Sequence, residues 1–287
     1  GTKKAGDFDI SNDVAEAFLT APNPHGRPNS EVIFRWMNGK SIVGNEHPKW
    51  IIYFAEMPIE DASRYEAPFE YVRKNIYPER QTNNEERARL KWWQHRRPAA
   101  EMWDAIKMLE RYIATPRVSK HRIFVWVSPR VLPDDGTYVF AREDDYFFGI
   151  LHSRIHELWA RRTGTQLREA ESGFRYTPTS TFETFPFPWA PGKEPQDDPR
   201  VQAVAAAAKE LAEMRERWLN AEGLNAAGRK KRTLTNLYNQ RPTWLDLAHK
   251  KLDAAVCDAY GWADDLSDEE ILEKLLALNL ERAGKSG

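Results

Sequence analysis

The sequence is short of the features that most readily assign a protein to a class. It holds one cysteine in 287 residues, Cys257, so no internal disulfide can form and the chain fits a reducing cytoplasm. No apolar run approaches the roughly 18 residues of a membrane span. The opening stretch GTKKAGDFDI lacks the apolar core of a secretory signal and reads as a cut made inside a longer chain. Net charge is also small, −1 from 42 basic and 43 acidic side chains, which argues against a uniformly basic nucleic-acid binder.

Catalytic signatures are missing as well. There is no Gly-x-Ser-x-Gly elbow, no CxxC pair and no Walker loop, and PNPHGRPNS has one glycine and three prolines where a phosphate cradle needs glycines. His152 and His156 in HSRIHE stand one helical turn apart, as two metal ligands could. A zinc-protease helix, however, needs Glu directly after the first His, and this chain has Ser153. A metal-dependent hydrolase using His152, His156 and Glu157 is one alternative; a polar stripe on a packed helix is the other.

What is present suits a globular chain of one or two domains, 41% hydrophobic and 30% charged. The segments EVIFRWM, KWIIYFA, RIFVWV and TYVFA are short, aromatic and β-branched, which predicts strands. AAEMWDAIKMLERYI and YFFGILHSRIHELWARRTG carry helical spacing, the second capped by Asp144 or Asp145 and stopped by Gly164. Beyond Pro199 every segment predicts helix. Asp197 or Asp198 caps the first, with Val201, Val204, Ala208, Leu211 and Met214 inward; Ser267 and Glu270 have capping-box spacing at the last. The expected fold is therefore α+β: a mixed domain at 1–185, a proline-rich linker at 186–198 and an all-helical domain at 199–287. In GFRYTPTSTFETFPFPW, Pro186 and Pro188 bar both helix interior and inner strand. Phe182, Phe185, Phe187 and Trp189 are expected to pin this exit against the domain it leaves.

Charge is uneven locally. From Lys107 to Arg130 six basic residues face one acid, Glu110, and ATPRVSKHRIFVWV places Arg117, Lys120, His121 and Arg122 on a turn before a buried strand. GTQLREAESGFRYTPT sets Arg168, Arg175 and Tyr176 on a loop flanked by Gly164 and Gly173. Arg229, Lys230, Lys231 and Arg232 form a third cluster. Long cations on short turns can meet phosphates or base edges, and each cluster can equally be a solvated face.

Five ordered segments resemble one family: YIATPRVSKHRIFVW, DDYFFGILHSRIHELWA, RYTPTSTFETFPFPW, RTLTNLYNQRPTWLDLAHKKLDAAVCDAYGW and DLSDEEILEKLLALNLER. They are similar to the MmeI-like proteins, large single-chain, S-adenosylmethionine-dependent DNA adenine methyltransferases related to type IIG restriction–modification enzymes. PNPHGRPNSEVI and SRYEAPFEYVRKNIYPER look like the segment just after that family's catalytic domain. The methyl-donor loop and the Asn-Pro-Pro-aromatic motif that holds a flipped adenine are not found; NPHG at Asn23–Gly26 lacks the second proline and the aromatic.

The resemblance implies a target-recognition domain followed by a helical domain, inactive by itself, with double-stranded DNA and the parent chain's catalytic domain as partners. No cofactor is expected here; S-adenosylmethionine belongs to the absent catalytic part. Arg117, Lys120, His121 and Arg122 match a basic motif of the family and are assigned to phosphate contact. Arg229, Lys230, Lys231 and Arg232 either clamp the duplex or cap a helix end. Arg168, Arg175 and Tyr176 are the expected base readers. A protein-interaction module, using the Ala-rich stripe Val201–Ala208 for close helix approach, is the competing class.

Overall fold

A computed structural model describes residues 1–44, 49–166 and 173–285. The fold is α+β. Elements are numbered along the whole chain, which divides into two compact units. Among the described residues, no helix is long and apolar enough to cross a membrane.

The first unit comprises Gly1–Ser41, Glu46–Tyr112 and Val127–Ala141. Its sheet has the order β1-β3-β2-β7, from β1 (Asp9–Ile10), β2 (Ile33–Met37), β3 (Lys49–Ile52) and β7 (Val131–Pro133). β2 and β3 are antiparallel with Phe34 opposite Ile51, and β7 runs parallel to β2 with Leu132 opposite Trp36. Helix α1 (Asn12–Thr20) starts at Ser11, whose hydroxyl accepts from the Val14 N–H. The core is aromatic: Phe8, Phe34, Phe54, Tyr65, Trp92 and Trp93 gather around Ile33, Ile51 and Ile52. His95 is buried in it, with Nε2 3.0 Å from the Ile52 carbonyl and its ring edge-on to Phe8 and Tyr53. Burial lowers its pKa to about 3, so the imidazole is neutral.

The second unit comprises Ile42–Asn45, Ile113–Trp126 and Arg142–Gly287. AAEMWDAIKMLERYI, which lies in the first unit up to Tyr112, is helical only over Ala100–Ile106; the chain then turns into strand β4 (Tyr112–Pro116), which neighbours β6 (Val125–Val127). Tyr112, Ile113 and Ala114 are fully buried, so the run predicted as the end of a helix is core strand. YFFGILHSRIHELWARRTG also differs from its expected single helix. It breaks at Ser153 into α8 (Asp145–His152) and α9 (Arg154–Thr163). Ser153 is extended and caps α9, accepting from the His156 N–H at 3.2 Å, while Asp144 caps α8 by accepting from Phe147. His152 and His156 therefore do not share one turn of one helix.

The carboxy-terminal helices are α10 (Pro199–Leu219), α11 (Ala226–Lys231), α12 (Leu234–Gln240), α13 (Thr243–Tyr260) and α14 (Asp268–Lys285). Asp198 caps α10, and Ser267 and Glu270 complete a capping box at α14. The Ala-rich stripe is used internally. A Cβ at Gly149 of α8 would come within 2.8 Å of Val204 and 2.9 Å of Ala208, so glycine and alanine together let α8 and α10 meet closely. The buried stripe ends in Arg215 where Met214 was expected.

Of the four aromatics in the proline-rich exit, Phe182 and Trp189 are half-buried. Phe185 and Phe187 are buried, and Phe187 stacks on Phe147 at 5.4 Å with 11° between rings. The prolines deny this stretch sheet pairing, and its carbonyls are met by side chains instead. Asn279 donates to Thr184 O, Tyr260 to Pro186 O and Arg282 to Phe187 O, at 2.6–3.0 Å. By packing, α8, α9 and α10–α14 belong to one unit.

Candidate nucleic-acid interface

Two sequence-distant basic loops meet in a small sheet of the second unit. Strand β5 (Val118–Ser119) follows Arg117, and β9 (Thr165–Gln166) and β10 (Phe174–Arg175) flank the other loop. The order is β5-β10-β9, both pairings antiparallel, with Arg175 opposite Val118 on one side and Thr165 on the other. Alternation then sorts the side chains. Phe174 and Tyr176 are buried, whereas Arg175 is exposed, in a row with exposed Val118 and Thr165.

Glycine makes the close pairing possible. Gly173 has φ +84°, and a Cβ there would lie 2.1 Å from the Ser119 carbonyl oxygen. At Gly164 a Cβ would lie 2.6 Å from Ala160 O and 2.8 Å from Arg175 O. The two glycines that flanked the loop in sequence are thus the points where backbone crosses backbone.

The residues assigned to DNA from the sequence separate into groups. Lys120 and Arg175 are exposed and, among the described residues, have no ion-pair partner. Arg117 is half-buried, and its carbonyl accepts from the Tyr176 N–H at 2.9 Å. His121 is half-buried and bonded through Nε2 to Asn239 Oδ1 at 2.8 Å. Arg168 lies outside the described residues. Arg229, Lys230 and Lys231 are exposed on α11, but Arg232 donates to Trp218 O in the last turn of α10 and lies 4.4 Å over the Trp218 ring. This contact caps the end of α10.

The other two, Arg122 and Tyr176, lie inside the fold. Arg122 is only 4% exposed, and its guanidinium donates to Thr115 Oγ1 at 3.0 Å, Pro116 O at 2.5 Å and Phe174 O at 3.2 Å. It also lies 4.7 Å from the Phe174 ring centre and 5.1 Å from that of Tyr176. Tyr176 is fully buried and bonded through its hydroxyl to His156 Nε2 at 3.0 Å. Both side chains are turned into the unit, away from its surface. The basic and aromatic residue types that suit DNA contact are here spent on holding strands together.

Behind the small sheet lies a buried polar network. His156 Nδ1 faces the Leu151 carbonyl at 2.9 Å and must donate, so Nε2 accepts the Tyr176 proton. Burial, the largest influence, lowers the His156 pKa to about 3, which keeps this neutral tautomer. His152 Nε2 lies 2.8 Å from both the Phe124 carbonyl oxygen and Arg215 Nη1, and Arg215 Nη2 donates to that same carbonyl at 2.8 Å. Burial and then the Arg215 charge hold its pKa well below the ordinary histidine value. Asp253 accepts from the Arg154 N–H at 2.7 Å, and burial raises its carboxyl to about 6. A polar cavity of about 290 Å³ adjoins these groups, lined by His121, Arg154, Glu157, Arg241, His249 and Asp253 among others. Among the described residues no group of three or more His, Cys, Asp or Glu is placed to hold a metal ion. Arg215 was missed from the sequence, although Val201, Val204, Ala208, Leu211 and Arg215 follow one helical stripe that put a cation on the inward face.

The family model described as "MmeI, target recognition domain" matches residues 4–189. The chain belongs to this family. A curated relative is DNA methyltransferase A of Bacillus subtilis (strain 168), 33% identical over 146 residues, which is 50% of this chain and 14% of the relative. The structure of the type IIL restriction–modification enzyme MmeI in complex with DNA matches with a TM-score of 0.73 at 20% identity, over 99% of this chain and 35% of that one. The MmeI likeness shows that the fold is shared along the whole chain. This chain thus spans about a third of the solved MmeI chain and a smaller share of the methyltransferase.

Proposed function

We propose that this MmeI-family chain is the module through which a larger N6-adenine DNA methyltransferase, of restriction–modification or phage-defence type, recognises double-stranded DNA. The observation that carries the reading is the β5-β10-β9 sheet, which brings two basic loops together and leaves Arg175 and Lys120 exposed on a stem fixed by glycine crossings. Arg175 has the fork geometry to bond guanine O6 and N7 together, worth about 1–3 kcal/mol of discrimination. Lys120, Arg117 and His121 take phosphate roles, with Arg229, Lys230 and Lys231 as a further phosphate contact. Arg168 remains assigned to base reading.

By function, residues 1–185 act as the recognition domain with its lead-in segment, 186–198 as the connector and 199–287 as the helical domain, a division along the sequence that differs from the two packing units, in which Arg142–Gly287 stay together. Methyl transfer, with S-adenosylmethionine, belongs to a catalytic part of the parent protein, since the methyl-donor loop and Asn-Pro-Pro-aromatic motif are not in this sequence. The setting is cytoplasmic, where the parent meets DNA.

Anisotropy of labelled duplex DNA titrated with this chain at several salt concentrations tests the reading. The expected log–log slope is about 0.9 per phosphate contacted, and Lys120→Ala lowers it by about one. No binding at low salt, either by this chain or by the full-length parent, would overturn it.

A further inference from the structure

The two side chains withdrawn from the DNA surface, Arg122 and Tyr176, both act on the strand that presents Arg175. Arg122 bridges the end of β4, at Thr115 and Pro116, to the Phe174 carbonyl of β10, and its guanidinium lies against the rings of Phe174 and Tyr176. Arg161, salt-bridged to Glu157 on its own helix α9, brings a second guanidinium to 5.1 Å from the Phe174 ring. Two residues beyond Phe174, Tyr176 donates to His156, whose other nitrogen is held by the Leu151 carbonyl beside the α8–α9 break. Arg175 sits between the two anchored residues. Because successive side chains of a strand alternate faces, fixing Phe174 and Tyr176 inward fixes the direction of Arg175 outward.

We propose that Arg122 and the Tyr176–His156 hydrogen bond are positioning elements for Arg175, holding its guanidinium in the one orientation that reads a base edge. The proposal rests on the DNA-recognition reading. A bidentate contact tolerates little displacement, since both N–H···O geometries must be satisfied together. A strand free to rock by one hydrogen bond keeps the positive charge near the duplex and loses the fork. Sequence discrimination should therefore fall while salt-dependent affinity persists.

The test selects bound duplexes from a pool with a randomised central stretch, using this 287-residue chain, and sequences the bound fraction. Four proteins are compared: the unaltered chain, Arg175→Ala, Tyr176→Phe and the double variant. Tyr176→Phe removes one hydroxyl and preserves the ring, which avoids the folding risk of Arg122→Ala. Arg175→Ala and Tyr176→Phe are each expected to reduce enrichment of the selected sequence by about tenfold. The double variant should lose no more than either single one, because both act through one contact. The salt slope of Tyr176→Phe should match that of the unaltered chain.

Full enrichment by Tyr176→Phe alongside loss by Arg175→Ala would overturn the positioning role and leave DNA reading intact. Losses that multiply in the double variant would overturn it too, since the hydroxyl would then act independently of Arg175. If neither the unaltered chain nor the full-length parent enriched a sequence or bound duplex at low salt, the DNA-recognition reading would fall, and the positioning role with it.

Discussion

Two basic runs of this protein, Arg117–Arg122 and Arg229–Arg232, look alike in sequence and are built differently. The first flanks strand β5, and the fold sorts its cations: Lys120 is exposed, Arg117 and His121 are half-buried, and Arg122 is interior. The second occupies a six-residue helix whose cations Arg229, Lys230 and Lys231 all reach solvent, with only Arg232 turned back onto α10. The difference shows that charge density marks where cations are, and backbone pairing decides which of them is available. A sheet edge converts a basic run into fixed positions; a short exposed helix leaves it a diffuse field.

Acid should separate the two most strongly. His152, His156 and His249 are buried neutral in the second unit, with pKa values at about 3 for the last two and well below the ordinary value for His152. The unfolded chain takes up these protons near pH 6.5 and the folded one does not. Stability is therefore intact above pH 6.5 and declines as pH falls, by about 1.4 kcal/mol per pH unit for each histidine. Asp253 works in the opposite sense, because a carboxyl raised to about 6 gains stability as pH falls from 6 toward 4 and offsets about one histidine. Urea midpoints followed from pH 7.5 to 5 should fall, with the network behind the small sheet failing first. A midpoint that rose on acidification would show that the histidines are solvated.

Arg122→Ala comes next in size. It strands acceptors on Thr115, Pro116 and Phe174 and should cost about 3 kcal/mol or more, read as a lower urea midpoint at constant slope. Gly173→Ala should cost about 2 kcal/mol, because φ +84° and the Ser119 oxygen both oppose a side chain. Against these, joint replacement of Arg229, Lys230 and Lys231 by alanine should move stability by less than about 0.5 kcal/mol. It should lower the salt slope of DNA binding by up to about three, with no change in the sequence preferred. A change of preference there would erase the distinction between the two runs.

Local chemistry explains which parts of the fold were legible. Asp198 with Pro199, Ser267 with Glu270, and Asp144 are caps whose partners lie two or three residues away, so the sequence contains both halves of each interaction. Strands β2, β3, β6 and β8 (Thr137–Phe140) were likewise visible as short β-branched and aromatic runs. Strand β4 was not, because YIATP follows a helical spacing and becomes a strand only through burial. The break at Ser153 was also hidden: HSRIHE continues the apolar period, and the cap that splits it is stabilised from afar by Asp253 accepting the Arg154 N–H.

The candidate site divides along the same line. That basic loops lie at 117–122 and around Arg175, and that aromatics pin the exit at Phe185 and Phe187, follows from residue type and spacing, since charge, ring size and proline geometry are properties of the chain itself. That Arg175 faces outward while Arg122 and Tyr176 face inward was decided only when residues 118 and 175 became neighbours, because a strand's two faces are equivalent until something packs on one of them.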